Sequence, residues 1–176
     1  MKEAPAAARP ALSRRLTVVV GVVALLLATR ALVAEPFQVP STSMLPTLQA
    51  GDHVLADKLA YRFGGPAVGD IAVLHSPLDG ELLLKRVVAL GGDVVELRDG
   101  VLVVDGHPRR EPYVDLSRID GVYFGPVTVP RDDVFVLGDD RADSEDSRDF
   151  GAVPRGDLVA RVDVRIWPPA RIGRLD

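Results

Sequence analysis

Three hydroxyls, Ser41, Thr42 and Ser43, stand between Pro40 and Pro46 in the stretch Glu35 to Leu48, EPFQVPSTSMLPTL. Proline fixes φ and removes a backbone donor, so neither a helix nor a central strand is expected through this segment. A short rigid loop of hydroxyls, flanked by Phe37, Val39, Met44 and Leu48, suits an exposed nucleophile beside an apolar groove. It also suits an ordinary polar turn, the reading the segment alone favours. A serine nucleophile needs a base, and the candidate is Lys85, inside the apolar run Glu81 to Leu90, ELLLKRVVAL. Read as a strand, this run puts Leu83, Lys85, Val87 and Ala89 on one face and Leu84, Arg86 and Val88 on the other. A strand apolar on both faces is expected to be buried. Its lysine then either snorkels from an edge or loses its charge to desolvation, which leaves a neutral amine able to take a serine proton. Serine–lysine pairs are a known variant of the serine–histidine–aspartate arrangement. Arg86 is excluded as a base because guanidinium stays protonated.

The third chemically suggestive stretch is Gly138 to Gly151, GDDRADSEDSRDFG, at the end of the apolar run Val134 to Leu137. It reads as a solvated acidic loop or as a salt-bridged scaffold. In the scaffold, Arg141 and Arg148 pair with Asp139 and Asp146 to fix Ser144 and orient the base. A calcium loop is disfavoured, since the EF-hand order of ligands around a central glycine is missing.

These residues need elements to hold them. Beyond Leu48 the pattern is of short apolar runs between Gly/Pro turns: His53 to Asp57, Ile71 to His75, Glu81 to Leu90, Val94 to Leu97, Val101 to Val104, Asp133 to Leu137 and Leu158 to Trp167. Asp99-Gly100 between two of them signals a tight hairpin. Residues 106–132 are turn-rich and read as an irregular excursion. No 3.6-residue apolar period follows Ala34, so the expected fold is all-β, a mostly antiparallel barrel or sandwich.

Ahead of this body, residues 1–15 are Ala/Pro/Arg-rich and expected to be disordered, and Leu16 to Ala34 is a nineteen-residue apolar run broken only by Arg30. That length is close to the roughly 20 residues of a membrane span. A cleaved leader needs small residues at −3 and −1. Cuts after Arg30, Val33 or Ala34 place Arg, Val or Leu at one of those positions, so a retained transmembrane helix is expected. Arg14 and Arg15 precede the run, which puts the N-terminus in the cytoplasm and residues 35–176 outside.

Composition removes other classes. From Glu35 onward 16 basic residues face 24 acidic ones, a net charge of −8 that disfavours a nucleic-acid partner. The absence of cysteine excludes disulfide and thiol chemistry, and three scattered histidines argue against a metal site. No cofactor is expected.

Taken in order behind the apolar run, PSTSMLPTL, LLKRVVALGGD and GDDRADSEDSRDFG resemble the three signature blocks of type I signal peptidases. These are membrane-bound serine proteases that remove signal peptides from exported preproteins. The resemblance extends to Gly51-Asp52, Gly69-Asp70-Ile71, Pro77 and Val159 to Trp167, and so covers nearly all of residues 35–167. It implies Ser43 as nucleophile and Lys85 as general base, with Ser41 and the Ser43 backbone N–H as oxyanion donors. It further implies a Ser144 hydrogen bond to the Lys85 amine, a supporting Asp146–Arg148 ion pair, and Asp139 and Arg141 bracing the same loop. Substrates with small residues at −3 and −1 imply shallow apolar pockets, with Phe37, Val39, Pro40, Met44, Leu48 and Leu84 as expected linings. Apolar surface around Phe37 and Met44 is expected to meet the bilayer. The implied partners are preprotein signal peptides and the membrane, and the implied fold is an antiparallel β catalytic core with a small inserted β excursion, here about 106–132. Asp140 and Asp143 stand where the family usually has asparagine, and Ala142 where aspartate is common. The rival readings are another serine–lysine protease, of the self-cleaving repressor type, and a tethered β-domain without catalysis. The apolar anchor argues against the first, and the presence of both Ser43 and Lys85 against the second.

Overall fold

The computed structural model describes residues 10–115, 119 and 122–175. Helix α1 runs Pro10–Leu32. It begins inside the segment expected to be disordered, with proline at the first helical position, where a missing N–H costs nothing. Residues 1–9 lie outside the described residues. Along α1 side chains are described from Arg14 to Leu27, all exposed. Among the described residues no helix is long and apolar enough to cross a membrane, so the expected span over 16–34 is not established by them.

The body is built from antiparallel sheets. Its strands are β1 (Ala34–Gln38), β2 (His53–Asp57), β3 (Ile71–His75), β4 (Leu82–Leu90), β5 (Val94–Arg98), β6 (Val101–Val104), β7 (His107–Pro108), β8 (Phe124–Thr128), β9 (Asp133–Leu137), β10 (Val153–Pro154), β11 (Leu158–Trp167) and β12 (Gly173–Arg174). The described residues also include two single α-helical turns, α2 (Ala60–Phe63) and α3 (Ser147–Phe150), and two 3-10 turns, Arg155–Asp157 and Pro169–Arg171. The main sheet has the order β1-β2-β11-β3-β4-β9-β10, with β12 on β11. Pro36 sits in the edge strand β1, where a missing donor is tolerated. Register shifts at Val162/Val164 in β11 and at Val87/Ala89 in β4 bend the sheet into a curled half-barrel.

Period-2 alternation decides which side chains enter which core. On β3, Ile71 and Val73 join one buried cluster with Leu84 of β4, while Ala72 and Leu74 join another with Val87. Beyond the β4 bulge, Val88 and Ala89 belong to a third cluster shared with β5, β6 and Phe135. β4 thus threads three cores, as its two-sided apolar pattern predicts.

The excursion is larger than expected. β5 and β6 leave the main body and form a second sheet in the order β7-β6-β5-β8, so the unit starts at Val94 rather than near residue 106. The exit is made at Gly91, where a Cβ would collide with the Arg131 carbonyl, and at Gly92, with φ of +101°. Asp99 and Gly100 both have positive φ, 51° and 77°, the geometry of the tight turn their sequence signals. Residues 116–118, 120 and 121 lie outside the described residues.

Candidate active site

The loop between β1 and β2 carries the serines. Its base is closed by Val39 N–H donating to the Asp52 carbonyl and by Gly51 N–H donating back to Val39, both at 2.9 Å. Met44 and Leu48, 1% and 0% exposed, pin the loop into the first core. Such burial contributes roughly 1.5–3 kcal/mol per side chain. Between these apolar anchors the loop turns, with Leu45 N–H on the Thr42 carbonyl at 2.9 Å, and Ser43 is held inward at 7% exposure.

Lys85 comes from the middle of β4, paired across the ladder with Ala72. Its Nζ donates to Ser43 Oγ at 2.8 Å, and Ser41 Oγ lies 3.2 Å from the same hydroxyl. Lys85 is 3% exposed, so it does not snorkel. Burial pushes its pKa below the usual lysine value, opposed by Asp146 and Glu145 and assisted by Arg148. A desolvated amine in contact with a serine hydroxyl can accept that proton and leave an alkoxide-like nucleophile.

Asp139, Asp146 and Asp149 of the acidic loop are engaged in ion pairs or in the cap of α3. Asp146 accepts from Arg148 Nε and Nη2 at 2.8 and 2.9 Å. It also accepts from the Gly138 N–H at 2.9 Å and caps α3 in a capping box with Asp149. Arg148 further donates to the Arg141 and Ser144 carbonyls at 2.7 and 3.1 Å.

One expected partnership is replaced by two others. Asp139 does not pair with Arg141. It takes Arg86 Nε and Nη2 at 2.9 and 2.8 Å, because the β4/β9 register sets Arg86 opposite Leu137, two residues before Asp139. Arg141 instead pairs with Glu111. Asp139 also accepts from Thr47 Oγ1, which ties it to the serine loop.

The expected Ser144 hydrogen bond to Lys85 is not made, and the Ser144 hydroxyl is buried without a partner. It lies against Gly138, a residue the sequence reading did not single out. A Cβ on Gly138 would collide with Ser144 Oγ and stand 2.6 Å from the Ser43 carbonyl oxygen. That carbonyl accepts from Asp140 N–H at 3.0 Å. Only a bare Cα lets the two loops close on each other. Gly138→Ala is therefore expected to lower any turnover that runs through Ser43 by about tenfold or more and to lower the melting temperature, checked by turnover and by thermal unfolding.

Of the expected lining residues, Val39, Met44, Leu48 and Leu84 belong to the buried core and Pro40 is exposed. Met44 cannot meet a bilayer from there. Phe37 does line a cavity of about 90 Å³, together with Ala56, Val73, Leu82, Val159 and Ala160. These other positions were missed because they converge from β2, β3, β4 and β11, far apart in sequence.

The model of the family described as "Signal peptidase, peptidase S26" matches residues 12–167. The chain belongs to this family. It is 39% identical over 161 residues to signal peptidase I of Leptolyngbya laminosa, covering 87% of this chain and 78% of the relative. It is 40% identical over 154 residues to thylakoidal processing peptidase 1, chloroplastic, of Arabidopsis thaliana, covering 81% of this chain and 45% of that longer protein. A crystal structure of a signal peptidase I from Enterococcus faecalis V583 superposes with a TM-score of 0.50 at 31% identity, over 55% of this chain and 95% of that one. The site described above lies inside the S26 match.

Proposed function

We propose that this chain is a membrane-anchored serine endopeptidase that removes N-terminal signal peptides from exported preproteins, with Ser43 as nucleophile and Lys85 as general base. The observation that carries this reading is the buried 2.8 Å contact between Lys85 Nζ and Ser43 Oγ. In the reaction, the neutral amine takes the Ser43 proton as Oγ attacks the scissile carbonyl. The tetrahedral oxyanion is met by the Ser43 N–H and the Ser41 hydroxyl. Lys85 then returns the proton to the leaving amine, and water attacks the acyl-enzyme with Lys85 again as base. Asp146 and Arg148 hold the neighbouring loop in place. The small apolar cavity beside Phe37 supports a preference for small residues at −3 or −1.

Helix α1 is the proposed anchor. Its 23 residues extend about 35 Å, against a hydrocarbon core of about 30 Å. Arg14 and Arg15 near its start support a cytoplasmic N-terminus. Lys58 N–H donates to the Val33 carbonyl at 2.9 Å, which ties the main sheet to the helix end and supports a site close to the bilayer on the far side.

The deciding test incubates the full-length chain in detergent with two preproteins, one with alanine at −3 and −1 and one with phenylalanine there. Cleavage of the first alone, after the −1 residue, is expected. An intact first preprotein would refute the reading. Ser41→Ala should retain measurable cleavage with kcat lowered about 10²–10³-fold, and an unchanged kcat would remove Ser41 from the oxyanion site.

A further inference from the structure

The site loop is completed by side chains from outside the main sheet. Residues 109–114 follow β7 in the second sheet's unit and lie back against the 138–141 loop. Glu111 accepts from Arg141 Nη2 at 2.5 Å, and their side chains are 6% and 0% exposed. Arg86 lies over the Tyr113 ring, 3.8 Å from its centroid, and the Tyr113 hydroxyl donates to Glu111 at 3.0 Å. Since Arg86 grips Asp139, the sequence Asp139–Arg86–Tyr113–Glu111–Arg141 is a ring that leaves the loop at residue 139 and re-enters it at 141.

Both ends of this ring reach the serine loop through one neighbouring residue. Asp139 holds Thr47 of the serine loop, and the next residue, Asp140, donates its N–H to the Ser43 carbonyl. Arg141 Nε donates to the Gly138 carbonyl at 3.0 Å, and Gly138 is the residue on which Ser144 and Ser43 pack. Arg141 Nη1 is buried without a hydrogen-bond partner, so Glu111 is the carboxylate that compensates this guanidinium. Without Glu111 the guanidinium stays as an uncompensated buried charge or moves toward water and pulls Gly138 with it.

We propose that Glu111 and Tyr113 are positioning residues for the serine–lysine site, which seat Arg141 and Arg86 and thereby keep residues 138–140 pressed on Ser43 and water away from Lys85. The second sheet is then a working part of the peptidase rather than an idle insertion. The proposal rests on the roles of Ser43 and Lys85 given above. It makes a specific demand on pH dependence. The charged groups acting on Lys85 are Asp146, Glu145 and Arg148, all on the loop that the ring braces. Burial is the leading cause that holds the amine below its usual value. Loosening the loop admits water and so raises the pH at which the amine gives up its proton, while Asp146, Glu145 and Arg148 draw away together with opposed effects.

The test measures kcat and KM for an alanine-site preprotein across pH, with the full-length chain in detergent. Variants are Glu111→Gln, Glu111→Asp, Tyr113→Phe and, as a control, Val95→Ala, which opens a cavity in the core under the second sheet. Glu111→Gln is expected to lower kcat about tenfold or more with KM little changed, and to move the acid limb of the rate profile to higher pH. Glu111→Asp should recover part of both effects. Tyr113→Phe keeps the ring under Arg86 and should move the limb less, in the same direction. Val95→Ala should lower the melting temperature and leave the limb in place. A Glu111→Gln limb that coincides with wild type, or a Val95→Ala limb that moves as far, overturns the proposal. If Glu111→Gln does not fold, an unmoved limb in Tyr113→Phe overturns it instead. A wild-type profile with no acid limb sinks the lysine base first, and this proposal with it.

Discussion

Replacing Lys85 by methionine is expected to cripple cleavage while making the protein harder to unfold in acid. The activity loss follows from removing the proposed base: Ser43 keeps its hydroxyl but loses the amine proposed to take its proton, a cost of roughly 10²–10⁴-fold in kcat. The stability gain follows from burial. Lys85 is 3% exposed and its pKa lies below the usual lysine value of 10.5, with desolvation the leading cause. Below the folded-state pKa both folded and unfolded chains carry the proton, and the folded state bears the full penalty. As pH rises from there toward 10.5, the folded amine is neutral while the unfolded one still binds a proton, so the penalty fades. Methionine fills similar space without a charge. Its advantage over wild type should be about 1–3 kcal/mol in acid, a rise of several degrees in melting temperature, and should shrink steadily with increasing pH. Thermal unfolding of both proteins over a pH series checks this. A difference that is absent in acid, or that does not change with pH, would show that Lys85 carries no desolvation penalty.

The largest purely structural effect is expected at Asp139. Asp139→Asn should destabilise the fold by about 3–5 kcal/mol and lower the melting temperature by roughly 10 °C. The reason is what it leaves behind. Arg86 is 1% exposed and its guanidinium spends two N–H groups on the Asp139 carboxylate, with one more on the Gly69 carbonyl at 2.9 Å. An amide cannot accept both bonds with charge, so an almost fully desolvated cation is left undercompensated. The serine loop also loses the Thr47 bond to a charged acceptor. Glu96→Gln is the natural comparison, since it removes a carboxylate from the Arg98–Glu96 pair, whose arginine side chain is 61% exposed. That variant should leave the melting temperature unchanged within error, because water screens such a pair and replaces it. Equal effects at the two positions would mean that burial is not what gives the Arg86–Asp139 pair its weight.

Much of the framework is local and could be read along the chain. β2, β3, β6, β9 and β11 fall where short apolar runs between turn residues place them, because a strand's signature is its own period of two. The Asp99-Gly100 turn is legible for the same reason: few residue pairs adopt two consecutive positive φ values. Side-chain chemistry narrowed the site as well. Once a buried-strand lysine and a proline-clamped serine cluster occur together, few reactions remain, and resemblance to a family chose Ser43 over Ser41.

What the sequence determined by itself was therefore the chemistry and the strands, that is, which groups are able to react and which stretches are extended. Tertiary structure alone decided who stands next to whom. The loop from Gly138 to Gly151 offers several equivalent carboxylates and two arginines, and nothing local chooses among pairings. The β4/β9 register gave Asp139 to Arg86, and a segment of the second sheet brought Glu111 to Arg141, 30 residues away. The place of Gly138 could be seen only when two loops met over its missing side chain. The small cavity beside Phe37 likewise exists only because separate strands curl around it. Ion pairs and pockets are long-range objects whose energy depends on burial, and burial is a property of the folded chain rather than of any stretch within it.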